Sequence, residues 1–314
     1  MNLRISLRHL VVLAATLVAF GATACGNGGD DDDGCHTDPP NPDSDGGGLQ
    51  CGQPFELNEP NGDPGVFGVK VVEYVHVNAA GIVETDTIST LLVLGYVDYH
   101  PETLDADIGI QLCKIEIPKV EIPGQPEPTV FNTLPQMLPN IPRVAIKASM
   151  TGDQTCDEFI SEKAITVIGA CLNDQLGDPL PNDARTQTCP GTFTAADKDT
   201  FCEGQATNCM YDLDEDGLPA TTLTADNVPG LDVDIVYGTM RSWISMSGLV
   251  ANSDLILGIA YWSLEMQIVG CRLVPIGGGE LRDCTTSEVE IVGQINPDLT
   301  QTPGQDSTFQ AVRV

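Results

Sequence analysis

From Val66 onward, apolar side chains recur at every second position in short runs, and no segment keeps a helical repeat for more than about two turns. Val66 to Val77 is rich in valine. Ile88 to Tyr99 places Leu91, Val93, Val97 and Tyr99 on one face. Ile108, Ile110 and Leu112 alternate with Gly109 and Gln111, and Val144, Ile146 and Ala148 follow the same rule. Ile165 to Ala170, Phe309 to Val314, and Val289 with Ile291 and Ile295 read likewise as half-buried strands. Thr194 with Asp197 predicts a short helical turn, because an acid at that spacing is a partial capping box. The expected fold is all-β: an antiparallel barrel or sandwich spanning 66–314, with two halves, 66–200 and 201–314, as a variant of the same plan. A chain of this length buries a substantial core.

Two stretches test that plan. Between Ser242 and Gly270 the only charged residues are Asp254 and Glu265. A membrane span is nonetheless rejected, since Asn252-Ser253-Asp254 is a turn signal and Leu255, Leu257, Ile259 and Tyr261 alternate around it. A transmembrane barrel would want aromatic girdles at both interfaces, and only 5% of the chain is aromatic. Pro118 to Pro142 reads as a long proline-rich loop with a helical turn near Thr133 to Leu138, because proline cannot donate to a strand ladder.

The N-terminal region has a different logic. Arg4 and Arg8 precede an uncharged, mostly apolar run from Leu10 to Phe20, and Ala22-Thr23-Ala24-Cys25 closes it. This is the layout of a signal peptide over 1–24. Together with the cysteine at its end, it resembles the lipobox region of bacterial lipoproteins, with Ala22 where leucine is more usual. The resemblance implies a lipid on Cys25, export, and attachment to a cell-envelope membrane, in bacteria the outer one. Ordinary cleavage after Ala24, giving a secreted protein, is the alternative. Cysteine parity favours the lipid, since eleven cysteines less Cys25 leave an even set for disulfides. Residues 25–65 read as an acidic tether: Gly26 to Gln50 has seven Asp, seven Gly and three Pro.

Charge narrows the partners. The formal net charge is −31, which excludes nucleic acid, whose phosphates need clustered cations. The remaining partners are the membrane, through the lipid, and an unidentified protein or small apolar ligand.

The cysteines read as structural disulfides in an oxidising compartment. The expected pairs are Cys202 with Cys209, and Cys271 with Cys284 around the glycine tip Gly277-Gly278-Gly279; Cys35 and Cys51 are candidates for a loop within the tether, with connectivity open. Zinc is disfavoured because no C-x-x-C pair occurs and histidines are few. One acidic motif carries specific chemistry. Asp212, Asp214 and Asp216, followed by Gly217, match the opening half of a calcium loop, with Leu218 offering its backbone carbonyl. The closing position holds Leu223 rather than Glu, so Asp226, Asp232 or Asp234 would have to complete the shell. A polar turn that binds no ion fits the same residues.

No nucleophile elbow, zinc-protease helix, P-loop or dinucleotide motif is present, so no catalytic residue is assigned. The expectation is a cell-envelope protein with a β-rich binding or structural domain, with calcium as an optional stabiliser. The alternatives are a lipocalin-like carrier, with Trp243, Trp262, Tyr261 and Met246 as wall candidates, and more remotely a secreted hydrolase.

Overall fold

The computed structural model describes residues 49–79, 83–116, 130–134, 136–226, 233–274, 280–293 and 298–314. Its strands in chain order are β1 (Gly65–Ala79), β2 (Val83–His100), β3 (Asp105–Glu116), β4 (Val130–Thr133), β5 (Val144–Met150), β6 (Glu158–Ser161), β7 (Ala164–Ile168), β8 (Ala170–Cys171), β9 (Cys209–Met210), β10 (Thr221–Asp226), β11 (Val233–Asn252), β12 (Leu255–Leu273), β13 (Arg282–Asp283), β14 (Asp298–Gln301) and β15 (Ser307–Arg313).

The ladder pairings close on themselves. β1 pairs with β2, β2 with β3, β3 with β5, β5 with β6, β6 with β11, β11 with β12, β12 with β15, and β15 returns to β1, all antiparallel. The result is a barrel drawing strands from both halves of the chain. A ring of this size, roughly eight strands, has an interior just wide enough for side chains or one small ligand. The inward positions are those of the period-two pattern. Val69 lies opposite Val93, Val97 opposite Ile108, and Ile108 opposite Ile146. Their apolar character is the reverse of a transmembrane barrel, which keeps its interior polar. On the outer face Lys147 pairs with Asp107 at 3.1 Å.

β11 and β12 run past the ring. β6, β7 and β10 lie end to end along one edge of β11, and β4 extends that sheet through β10. A second core forms there, where Met137, Leu138, Phe193, Tyr211 and Leu213 pack against Met240 and Ile268. Within the proline-rich stretch the described residues form β4 and the one-turn helix Met137–Asn140, while 117–129 and 135 lie outside them.

The opposite end is closed by residues expected to belong to the tether. Phe55 and Leu57 are buried, the latter completely, and Phe55 sits 5.4 Å from the Tyr99 ring. Arg313 seals the same end, lying over Phe67 and donating to the carbonyls of Glu56 and Ser253. Acidic and glycine-rich composition marked this segment as tether. Two apolar anchors and a disulfide are enough to dock it.

That disulfide is one of the departures from expectation. Cys51 bonds Cys156, not Cys35, which lies outside the described residues. Cys202 bonds Cys171 and Cys209 bonds Cys189, instead of each other. Nearness in sequence misled here, because β8 and β9 pair directly and set Cys171 opposite Cys209. Each then bonds a cysteine of the loop that joins the two strands. Cys271 and Cys284 are bonded to each other beside the short β12–β13 pairing. A second departure is the strand expected around Val289 and Ile291, which is instead helix Thr286–Gly293. Thr285 caps it in a reciprocal box: its Oγ1 accepts the Glu288 N–H, and Glu288 Oε2 accepts the Thr285 N–H. The expected turn at Thr194 is a 3-10 turn, Ala195–Asp197.

Candidate functional site

Alternation along β1 turns Phe67, Val71, Val75 and Val77 inward, and the same period carries Glu73 in with them. Glu73 is 8% exposed, directly across the ladder from Ser89, itself buried. Loss of water around the carboxyl pushes it up from the usual carboxylate range to about 7, with Ser89 pulling more weakly the other way. The Ser89 hydroxyl lies close enough to act on the carboxyl, although its Oγ is not held in strict hydrogen-bond geometry to any group among the described residues.

Glu73 faces a cavity of about 130 Å³ where the two cores meet. Val71, Leu91, Leu112, Ile141, Met240 and Trp262 supply its apolar walls. A smaller void of about 50 Å³ adjoins it deeper in the barrel and shares Val71, Val93, Ile110 and Ile244 with it. Trp262 is held in place through its polar edge. Its Nε1 donates to Ser307 Oγ at 3.0 Å, and the same oxygen accepts the Tyr74 N–H at 3.1 Å.

The barrel wall beside this chamber is thin. β5 and β7 lie side by side without ladder pairing, because β5 pairs with β3 and β6 while β7 pairs with β11. Pro142, Val144 and Thr166 at this seam line the chamber on one side and an outer cleft of about 420 Å³ on the other. Arg143, Lys198 and Asp199 rim that cleft.

Of the wall residues expected from sequence, Trp262 and Trp243 border the chamber and Met246 borders the deeper void. Lys163 Nζ sits 3.9 Å from the Trp243 ring. Tyr261 is 46% exposed on the outer face, one position out of phase with Trp262. Glu73 was not singled out, although a lone acid on the inward phase of a valine run is a readable signal.

The acidic motif forms a second site. Tyr211 and Leu213 exchange backbone hydrogen bonds with Ala220, folding 211–220 into a closed loop. Asp212 accepts the N–H groups of Asp216 and Gly217 through its two oxygens, and Asp216 Oδ1 accepts that of Leu218. Gly217 has φ +85°, a conformation that favours glycine at this bend. Asp214 is fully buried. Its Oδ2 accepts the Thr222 N–H at 2.7 Å, while Oδ1 has no hydrogen-bond partner among the described residues. One oxygen from each of Asp212, Asp214 and Asp216 lies within 4.8 Å of the other two. Burial pushes the Asp214 carboxyl up to about 7, and the negative charges of Asp216 and Asp212 add to this. Asp234 is not part of the cluster, Asp232 lies outside the described residues, and Leu223 packs in the core.

The sulfurs of Cys171, Cys189 and Cys209 also lie within 4.8 Å of one another, but all three are in disulfides and offer no thiolate to a metal. Cys25 lies outside the described residues. Comparison with protein-family models, with curated proteins and with solved structures finds no match for this chain.

Proposed function

We propose that this chain is an exported binding protein, held at a cell-envelope membrane by a lipid on Cys25, whose barrel takes up one small, mostly apolar molecule. The observation that carries this reading is the apolar chamber with a single buried carboxyl, Glu73, on its wall. An apolar cavity of about 150 Å³ holds a benzene-sized guest, so a chamber of about 130 Å³ suits a one-ring or short branched molecule. Ser89 offers Glu73 one hydroxyl, and a carboxyl buried in otherwise apolar surroundings is further stabilised by a second donor or a cation. The ligand class is therefore a compact apolar body bearing one amine or hydroxyl that meets Glu73. The unpaired seam between β5 and β7 gives such a molecule a way in from the outer cleft.

Four disulfides among the described residues support an oxidising compartment, and with it export. Cys51–Cys156 ties the domain's N-terminal end to the barrel, so a tether leading from Cys25 would pull on a stapled rim.

Trp262 provides the test. In the full oxidised chain carrying Trp243→Phe, Trp262 is the remaining tryptophan and borders the chamber. Benzylamine should change its fluorescence saturably. Ala164→Leu, which fills the chamber from a buried wall position, should abolish the change. A response that never saturates, or one unaffected by Ala164→Leu, contradicts the reading.

A further inference from the structure

We propose that Asp212, Asp214 and Asp216 bind one calcium ion that pins the 211–222 loop onto the second core. This stands whether or not the chamber binds a ligand. The proposal rests on the juxtaposition of three carboxylates and on one oxygen among them that the protein leaves without a partner. Asp214 Oδ1 is buried and accepts no hydrogen bond from the described residues. A buried carboxylate oxygen in that state costs free energy, and removing water from around it makes the absence worse. While ionised, the two neighbouring acids bring more negative charge and no donor, so a shared proton or a cation must relieve it. A cation within reach of all three relieves the orphaned oxygen and the mutual repulsion together.

The donor set selects the ion. All the groups are oxygens, which suits a hard divalent cation and not zinc or copper. Ligands at alternate positions, followed by a glycine, make a flexible shell of the kind calcium accepts; magnesium demands a tighter octahedron. The Leu218 carbonyl, two residues beyond Asp216, is the next ligand in such a loop, and water would complete the shell. Because no bidentate Glu closes the loop, affinity belongs with extracellular calcium modules, about 10⁻⁴ to 10⁻³ M.

The ion's effect would reach beyond the loop. Leu213, between two of the ligands, is fully buried, and its carbonyl accepts the Asn140 side chain. Ile141 and Pro142 follow Asn140 and line the chamber.

The test is calorimetric titration of the full oxidised, chelator-stripped chain with calcium chloride to about 10 mM, well above that affinity range, with melting temperature read in parallel. Wild type should bind one ion at this loop and melt higher as calcium rises. Asp216→Asn, at an exposed position, should weaken binding roughly tenfold or more, and Asp214→Asn should abolish it. Because Asp214 is buried and its variant can fail to fold, Asp216→Asn keeps the test decisive. Replacing Asp30 to Asp33 with Asn should leave binding at the loop intact. No calcium-dependent heat and no melting shift in the wild type would overturn the proposal. So would binding lost with Asp30 to Asp33 but untouched by Asp216→Asn.

Discussion

Asn140 Nδ2 donates to the Leu213 carbonyl at 2.8 Å, across 73 residues of sequence, with both side chains buried. This bond, with the packing of Met137, Leu138 and Ile141 in the same core as Leu213, joins the acidic loop to the segment that lines the chamber. Asn140→Ala leaves a buried carbonyl without that donor, a loss of about 1–3 kcal/mol. Urea unfolding should show a lower midpoint with an unchanged slope. A midpoint equal to wild type would mean that the two sites are not joined there.

Glu73 makes stability depend on pH in a defined direction. Unfolded, its carboxyl titrates near 4.5; folded, it keeps its proton up to about 7. Between those values the folded protein binds more protons than the unfolded chain, so stability falls as pH rises. Below the window the group contributes nothing, and above it the full penalty is present, on the order of 3 kcal/mol at about 1.4 kcal/mol per unit. Glu73→Gln should therefore gain on the wild type progressively from pH 4.5 to 7 and hold a constant gap above that. Parallel curves across the window would place the carboxyl in water.

The Cys51–Cys156 bond closes a separation of 105 residues, the longest of the disulfides among the described residues. Its removal by Cys51→Ala with Cys156→Ala should cost about 2–4 kcal/mol and loosen Phe55 and Leu57 from the barrel end. Thermal melts would read the first effect and hydrogen exchange around Tyr99 the second. Unchanged protection at Tyr99 would show that the apolar contacts alone dock the segment.

Cys25→Ser should convert a membrane-associated protein into a soluble or unprocessed one. Intact mass settles it: the native protein should begin at Cys25 and carry a diacylglyceryl group. A native mass matching an unmodified Cys25 would replace the anchor with simple secretion.

Much of the barrel was legible because period two is a local property. Phe67, Val71, Leu91, Val97 and Ile108 declare their face through their immediate neighbours. Ring closure is not local, since the β12–β15 and β15–β1 pairings depend on which edges meet after folding. Disulfide partners share that limitation: Cys171 meets Cys202 only because β8 and β9 bring two distant segments together. Helix Thr286–Gly293 was misread because Glu288-Val289-Glu290-Ile291 fits a strand as well as a short helix; the box between Thr285 and Glu288 was the better guide. The acidic loop was legible as a motif, whereas the unpartnered oxygen of Asp214 could emerge only from packing. Glu73 was legible in principle, as the one acid on the inward phase of Val66 to Val77, but its burial followed only from the ring closing around it.

On the proposed function, Glu73 reads the head group of a molecule seated in the apolar chamber. The most direct test is to titrate benzylamine and benzyl alcohol into the full chain across pH 5 to 9, in wild type and Glu73→Gln. Benzylamine should bind more tightly as pH rises through about 7, where Glu73 loses its proton and can pair with the ammonium. Benzyl alcohol should weaken or stay level, and Glu73→Gln should flatten the benzylamine curve. Saturable binding of neither probe, or an identical benzylamine profile in Glu73→Gln, would contradict it.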